Sequence, residues 1–244
     1  MVNSSRPAPW QTQGSEKRAA VQKMFGDIAS TYDLMNSLMT LRLHRRWRER
    51  AVRTLDLKPG DRALDVCCGT GDFLIPLRQA VGETGHVVGV DFCAPMLELA
   101  HTKPGHSATL SLGDACALPV ASRQFDALTV GWGLRNVPDL KAALNEAARA
   151  LKPGGRFASL DMATPRGILA PITKFVFTHF VPLLGRLFGK AEAYQYLPES
   201  TQTFVTREEL CDALRQAGFT DVRFQDLFFG TVVLHTARLS DPVA

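Results

Sequence analysis

Apolar residues recur along this chain with two different periods. In EKRAAVQKMFGDIAS (16–30), Val21, Met24, Phe25 and Ile28 fall on one helical face. The helical pattern continues through YDLMNSLMTLRLHRRWRERAVRTL (32–55), where Trp47, Ala51 and Leu55 share a stripe, until LKPGD breaks it. Beyond that point short apolar runs alternate with amphipathic stretches. RALDVCC, GHVVGVD, ATLSLGD, FDALTVGW and RFASLDMA read as five strands. GDFLIPLRQAV, APMLELA and PDLKAALNEAARAL read as the helices between them, the last lined by Leu140, Leu144, Ala147 and Leu151 and ended by KPGG. Strands alternating with helices imply a parallel sheet covered on both faces. The tail differs. TREELCDALRQAGF is a helix with Thr206 as cap and Gly218 at its end. TDVRFQDLFF and GTVVLHTARL follow with no helix between them, which predicts an antiparallel hairpin on the sheet edge.

The expected architecture is therefore α/β, Rossmann-like, with a seven-stranded, mostly parallel sheet and an antiparallel edge strand. A disordered tail (1–15) and an N-terminal helical cover (16–57) precede the main domain (58–244). Within that domain, 162–200 reads as an aromatic, proline-punctuated insertion expected to cover the site.

The 244-residue length suits one large domain with an extra arm. Five cysteines, odd in number and without a CxxC pair, argue against a disulfide framework or a zinc site and fit a reducing cytoplasm. The start of the chain lacks a signal-peptide core. The most apolar stretch, 168–189, carries Lys174, His179, Arg186 and two prolines and makes a poor membrane span. A net charge of +4 demands neither nucleic acid nor anionic lipid as a partner.

The chemistry starts at LDVCCGTGDF (64–73). In an open α/β sheet, ligands sit at the carboxyl ends of the strands. Gly69 and Gly71 form the turn there and allow close approach to backbone. A phosphate cradle would want GK[ST], which is absent. A dinucleotide fingerprint wants a third small residue where Leu74 stands, and Asp72 would repel phosphates. S-adenosylmethionine (SAM) has no phosphate and presents an ammonium and a sulfonium, which tolerate Asp65 and Asp72. Asp91, at the end of the second strand, suits ribose hydroxyls. Asp114, at the end of the third, suits an adenine amino group. Strand-end acids at Asp65, Asp91 and Asp114 together point to a class I SAM-dependent methyltransferase. The alternative is plain turn glycines and helix-capping acids.

Five blocks make the chain recognisable: YDLMNSLMTLRLHRRW (32–47), LDVCCGTGD (64–72), GWGLRNVPD (131–139), RALKPGGRF (149–157) and YQYLPES (194–200). Together they resemble the ubiquinone/menaquinone biosynthesis C-methyltransferases over nearly the whole chain after residue 16. The resemblance implies a class I fold, SAM as methyl donor and a prenylated quinol as acceptor, with demethylmenaquinol foremost. A ubiquinone-pathway benzoquinol or a phytylated naphthoquinol is the alternative acceptor. An NAD(P)-binding oxidoreductase and a non-catalytic SAM-binding module are the rivals of other classes. Gly69, Thr70, Gly71, Asp91, Met96, Asp114 and Ala115 are carried over as cofactor contacts, and Tyr32 adds one from the N-terminal cover. The chain departs from the family pattern at Thr40–Arg42, at Asp161 and Ala163, where a glutamate and a serine are usual, and at Cys67 and Cys68.

Methylating a ring carbon needs electron density there, which ionising the adjacent phenol supplies. An ordinary phenol titrates near ~10, so the site must favour its anion. Arg135 and Asn136, after the fourth strand, are the expected catalytic pair: Arg135 stabilises the phenolate and Asn136 orients it or a water. The bland alternative pairs Arg135 with Asp139. His44, His179 and His235 are candidate bases, each also readable as structural. Tyr194 and Tyr196 are candidate ring contacts. Cys67 and Cys68 read as small soft side chains beside a turn, not nucleophiles. RLHRRWRER reads either as a solvated basic face or as a transient membrane-surface contact, peripheral on the inner membrane face. No metal and no nucleic acid is expected; a homodimer is compatible with these features.

Overall fold

The computed structural model describes residues 14–105, 107–168, 170–173, 175 and 191–241, leaving aside the side chains of 191–195. The expected tail (all but its last two residues), His179, the Tyr194 side chain and much of the 162–200 insertion lie outside the described residues.

The helical start is two helices, α1 (Gly14–Met39) and α2 (Leu43–Thr54), rather than one. Leu41 and Arg42 between them adopt left-handed backbone, with φ of 49° and 62°. Such residues end a helix, and nothing in the hydrophobic period announces them. The amphipathic stripe survives the break. His44, Trp47, Arg48, Ala51 and Leu55 are all buried, while Arg45, Arg46 and Arg50 face out.

Next come β1 (Arg62–Val66), α3 (Leu74–Val81), β2 (His86–Asp91), α4 (Ala94–Thr102), β3 (Thr109–Leu112), β4 (Phe125–Gly131), α5 (Leu140–Ala150) and β5 (Leu151–Met162). The strand β5 starts earlier than its sequence suggests. KPGG does not stand as a turn before it but is bulged out of it: Phe125 pairs with Leu151, and Ala127 with Arg156. The chain closes with α6 (Ala191–Thr203), α7 (Arg207–Gln216), β6 (Phe219–Leu227) and β7 (Val232–Leu239). Thr206, the expected cap of α7, forms a reciprocal capping box with Glu209 there.

The seven strands run in the order β3-β2-β1-β4-β5-β7-β6. All neighbours are parallel except around β7, which pairs antiparallel with both β5 and β6. The strand that runs against the rest thus sits one place in from the edge, and His235 on it is buried rather than on an edge strand. Two apolar layers cover the sheet. One gathers Leu144, Leu210 and Leu214 from α5 and α7; the other gathers Trp47, Ala51 and Leu74 from α2 and α3. Strand order reverses between β1 and β4, so a crevice opens at their carboxyl ends.

Candidate active site

Two cavities meet at that crevice. The first encloses about 680 Å³ of free space, mouth included, and is bordered by Gly69, Asp91, Met96, Asp114, Ala115 and Asn136 among others. Gly69 has a φ of +55°, and no atom lies within 4 Å of where a Cβ would stand, so its backbone faces open room. Asp91 is buried and accepts from the Gly69 N–H at 2.8 Å and from the Cys93 N–H at 2.9 Å. A carboxylate has about four acceptor positions, so Asp91 keeps acceptor capacity toward the cleft it borders. Burial pushes the Asp91 carboxyl upward, and the backbone donors work against that. Asp114 accepts from the Cys116 N–H and is paired with Arg18 of α1 at 3.0 Å.

Two predicted contacts stand apart from this cavity. The Thr70 hydroxyl donates to Asp33 at 2.6 Å and accepts from Lys103 at 3.1 Å, and Thr70 is not among the residues lining either cavity. Gly71 packs against Leu74 and Ala100 instead of bordering open space. Asp65, one of the three strand-end acids, is also turned away. It is buried in the sheet and accepts from Thr129 at 2.7 Å. Burial raises its pKa to about 7 from an ordinary 3.8. Between these values the unfolded chain ionises while the folded one keeps its proton, so stability falls as pH rises through that window and levels off above it. At about 1.4 kcal/mol per unit the loss is on the order of 3–5 kcal/mol. Asp65→Asn keeps an acceptor for Thr129 and removes the titration. Its unfolding free energy in urea should match wild type near pH 4 and exceed it by several kcal/mol at pH 8.

The second cavity is larger, about 1440 Å³ with its mouth, and mostly apolar. Phe25, Tyr32 and Trp132 belong to both walls, so the two spaces adjoin. Trp47 packs at a tilt against Trp132 and Phe228, and the Arg48 guanidinium lies 4.7 Å from the Trp132 ring centre. Tyr196 and Leu197 of α6 line it, as do Ile172 and Thr173, so described parts of the insertion form its wall.

Arg135 and Asn136 stand where the cavities meet, and a strained turn holds them. Trp132 has left-handed backbone, φ 55°. Its carbonyl accepts from Arg135 Nη1 at 3.0 Å and from Asn136 Nδ2 at 2.9 Å. These bonds offset a conformation that costs of order 1–3 kcal/mol. Gly133 follows because a Cβ there would stand 2.5 Å from that of Cys67. Arg135 pairs not with Asp139 but with Asp161, at 2.5 Å, both side chains being buried. Asp139 caps α5 instead, accepting from the Ala142 N–H. Burial opposes the Arg135 charge, yet Asp161 outweighs it and keeps the guanidinium firmly protonated. Arg135 Nε is buried with no partner among the described residues.

Tyr196 donates to Asn136 Oδ1 at 2.6 Å, tying α6 to the turn. Tyr196→Phe strands that buried acceptor and should cost about 1–3 kcal/mol in urea unfolding; unchanged stability would deny the bond its role. His44 lines the apolar cavity, with Nδ1 2.6 Å from Thr40 Oγ1 and Nε2 3.8 Å from Asp72. Burial, then Arg48, lowers its pKa to about 4. Asp72 is held low by Arg48 and Lys103 despite its own burial. His235 bonds the Arg207 carbonyl through Nε2 and lines neither cavity. Burial raises the Cys67 and Cys68 thiols well above their usual range, which suits unreactive side chains.

The ubiE/COQ5 methyltransferase family model matches residues 11–238. This chain belongs to that family. Demethylmenaquinone methyltransferase of Desulfitobacterium hafniense is 42% identical over 235 residues, covering 92% of each chain. The protein of the same name from Staphylococcus saprophyticus is 40% identical, covering 90% of this chain and 96% of its own. Among solved structures, a SAM-dependent methyltransferase from Thermotoga maritima superposes with a TM-score of 0.62 at 22% identity, over 89% of this chain and 98% of that one. One from Aquifex aeolicus gives 0.61 at 20% identity, over 84% and 98%. At those identities the likeness is one of fold. Within the family pattern, the departure at Asp161 now has a setting: it is the Arg135 partner. Sequence reasoning missed that pairing, and it missed Arg48 as an inward residue. The signal for Arg48 was present, since His44, Trp47, Arg48 and Ala51 follow helical spacing, but two basic side chains disguised the stripe.

Proposed function

We propose that this protein methylates a ring carbon of demethylmenaquinol, giving menaquinol, with SAM bound in the polar cleft and the quinol in the apolar cavity. The observation that carries this is the junction. A nucleoside-sized cleft at the strand ends opens onto an apolar cavity about twice its size, with a buried arginine at the meeting point. The relatives' names agree with it.

The cleft fits the cofactor on its own chemistry. Asp91 retains acceptor capacity toward ribose hydroxyls, Asp114 toward an adenine amino group, and Met96 and Ala115 supply apolar walls. Gly69 admits the ligand to backbone, Gly71 shapes the turn, Thr70 acts through Asp33 and Lys103, and Tyr32 closes the α1 side. SAM, when bound, supplies an electrophilic methyl group. The protein's work is placement and charge. Arg135, which lines the apolar cavity, brings its positive charge to the developing phenolate in a water-poor space, where such charge counts for more than in water. Asn136, fixed by Tyr196 and Trp132, orients the ring oxygen.

The prenyl tail points to a peripheral membrane contact. No helix among the described residues is long and apolar enough to cross a membrane. Phe229 and Ile172, 58% and 62% exposed, belong to the wall of the apolar cavity. Leu41, 79% exposed, lies between α1 and the outward arginines of α2. An apolar rim beside basic residues suits an anionic bilayer surface. The deciding experiment is mass spectrometry of quinones from cells lacking this protein. Demethylmenaquinone should replace menaquinone, and purified protein with SAM should convert it back. An unaltered menaquinone pool would end this reading.

A further inference from the structure

The phenolic proton must go somewhere, and Arg135 cannot take it. Five titratable side chains line the apolar cavity among the described residues: Tyr32, His44, Arg48, Arg135 and Tyr196. The two arginines stay protonated at any working pH. The two tyrosines have hydroxyls pushed upward by burial, so they keep their own protons. His44 alone in this set is a neutral group with a lone pair to offer.

Its tautomer follows from Thr40. The Thr40 hydroxyl lies 2.6 Å from the Asn36 carbonyl and 2.6 Å from His44 Nδ1. A carbonyl only accepts, so the single hydroxyl proton goes to Asn36 and Nδ1 must carry the hydrogen that Thr40 accepts. Nε2 is then bare. It lies 3.8 Å from Asp72, too far to be a hydrogen bond but close enough to stabilise a cation. Asp72 is itself anchored by Lys103 at 2.6 Å and Arg48 at 3.4 Å. Around the ring, Asp72 and Asp33 favour an imidazolium, while Arg48 and Arg45 oppose it.

Resting on the reading of this cavity as the quinol site, we infer that His44 is the general base, its Nε2 accepting the phenolic proton of the bound quinol, with Thr40 fixing the tautomer and Asp72 stabilising the charge that forms. The O–H bond breaks, its electron pair stays on oxygen and delocalises into the ring, and the proton moves to Nε2. The ring carbon would take the donor's methyl group as the methyl–sulfur bond breaks with its electron pair left on sulfur; the carbon's own hydrogen then leaves to water and Nε2 returns its proton to the oxygen, so one proton is released net. The burial that makes His44 a weak base also keeps it free of protons throughout the neutral range. Arg135 supplies the complementary half by acidifying the phenol.

The tautomer is checked first without any methyl donor, by ¹⁵N NMR of histidine-labelled protein at pH 7. Nδ1 of His44 should be protonated and Nε2 bare; a neutral ring protonated on Nε2 overturns the inference. His44→Asn keeps a side-chain amide to donate to Thr40 but has no base. Its SAM affinity should be unchanged and its turnover of demethylmenaquinol down about 100-fold or more at pH 7. That deficit should shrink as pH approaches the phenol's own value of roughly 10. In His44→Ala, added imidazole should restore part of the rate. A loss of equal size at every pH, without imidazole recovery, assigns His44 to packing and overturns the inference. Should His44→Asn fail to fold, His44→Gln takes its place with the same outcomes. Wild-type protein that leaves demethylmenaquinol unmethylated brings down the acceptor reading instead, and this inference with it.

Discussion

Replacing Arg135 by alanine should nearly abolish turnover and also weaken the fold. The guanidinium is buried against Asp161 and holds the Trp132 carbonyl. Its removal leaves the Asp161 carboxylate buried with backbone donors but no countercharge, and breaking comparable pairs costs about 3–5 kcal/mol. It also removes the guanidinium of a residue that borders the apolar cavity, and losing an electrostatic stabiliser of this kind lowers kcat by about 10²–10³. The two effects separate in the double variant Arg135→Ala with Asp161→Ala. With no charge left buried, thermal stability should return most of the way, whereas kcat should stay low. SAM affinity should change little in either variant, because Arg135 does not line the cofactor cleft. If the double variant recovers turnover together with stability, Arg135 acts only by holding the turn.

The second large effect is on cofactor affinity. Asp91→Ala removes a carboxylate that grips two backbone N–H groups and faces the cleft. Charged hydrogen bonds to ribose hydroxyls contribute about 1.5–3 kcal/mol, so calorimetry should find SAM binding roughly 10- to 150-fold weaker. Asp91→Asn separates two contributions. It keeps one oxygen for the Gly69 N–H, so the turn should hold, while the affinity loss stays close to that of alanine. Full SAM affinity in Asp91→Ala would show that the cofactor does not depend on this acid.

The central β/α alternation was legible because each strand is a short apolar run closed by a turn residue. The acids Asp91 and Asp114 were legible because they end such runs. Asp65 looked the same by spacing, yet it is the last residue but one of β1 where Asp91 is the last of β2, and its side chain meets Thr129 rather than the crevice. Sequence alone does not fix which residue of an apolar run is the last of its strand. The Leu41–Arg42 break was hidden because left-handed residues need no glycine when the chain on both sides is held in place. The Arg135–Asp161 pair was hidden for a different reason. It joins the end of β4 to the end of β5, 26 positions apart, and no local pattern connects them. His44 was visible as a histidine in an arginine-rich helix, but only folding shows that its ring faces the apolar cavity while Arg45 and Arg46 turn outward.

The first helix is fastened across the cofactor cleft at several points. Lys17 reaches the Val137 carbonyl at 3.0 Å, Arg18 reaches Asp114, Gln22 reaches the Phe92 carbonyl at 2.6 Å, and Asp33 meets Lys103 at 2.7 Å. Three of these clasps join it to the segments beyond β4, β3 and β2, and the fourth to the residue that follows α4. These contacts hold α1 over one side of the cleft, so a nucleoside bound there should exchange faster as they loosen. Two of the four are ion pairs, so ionic strength should set how fast the enzyme reloads while leaving the chemical event itself untouched.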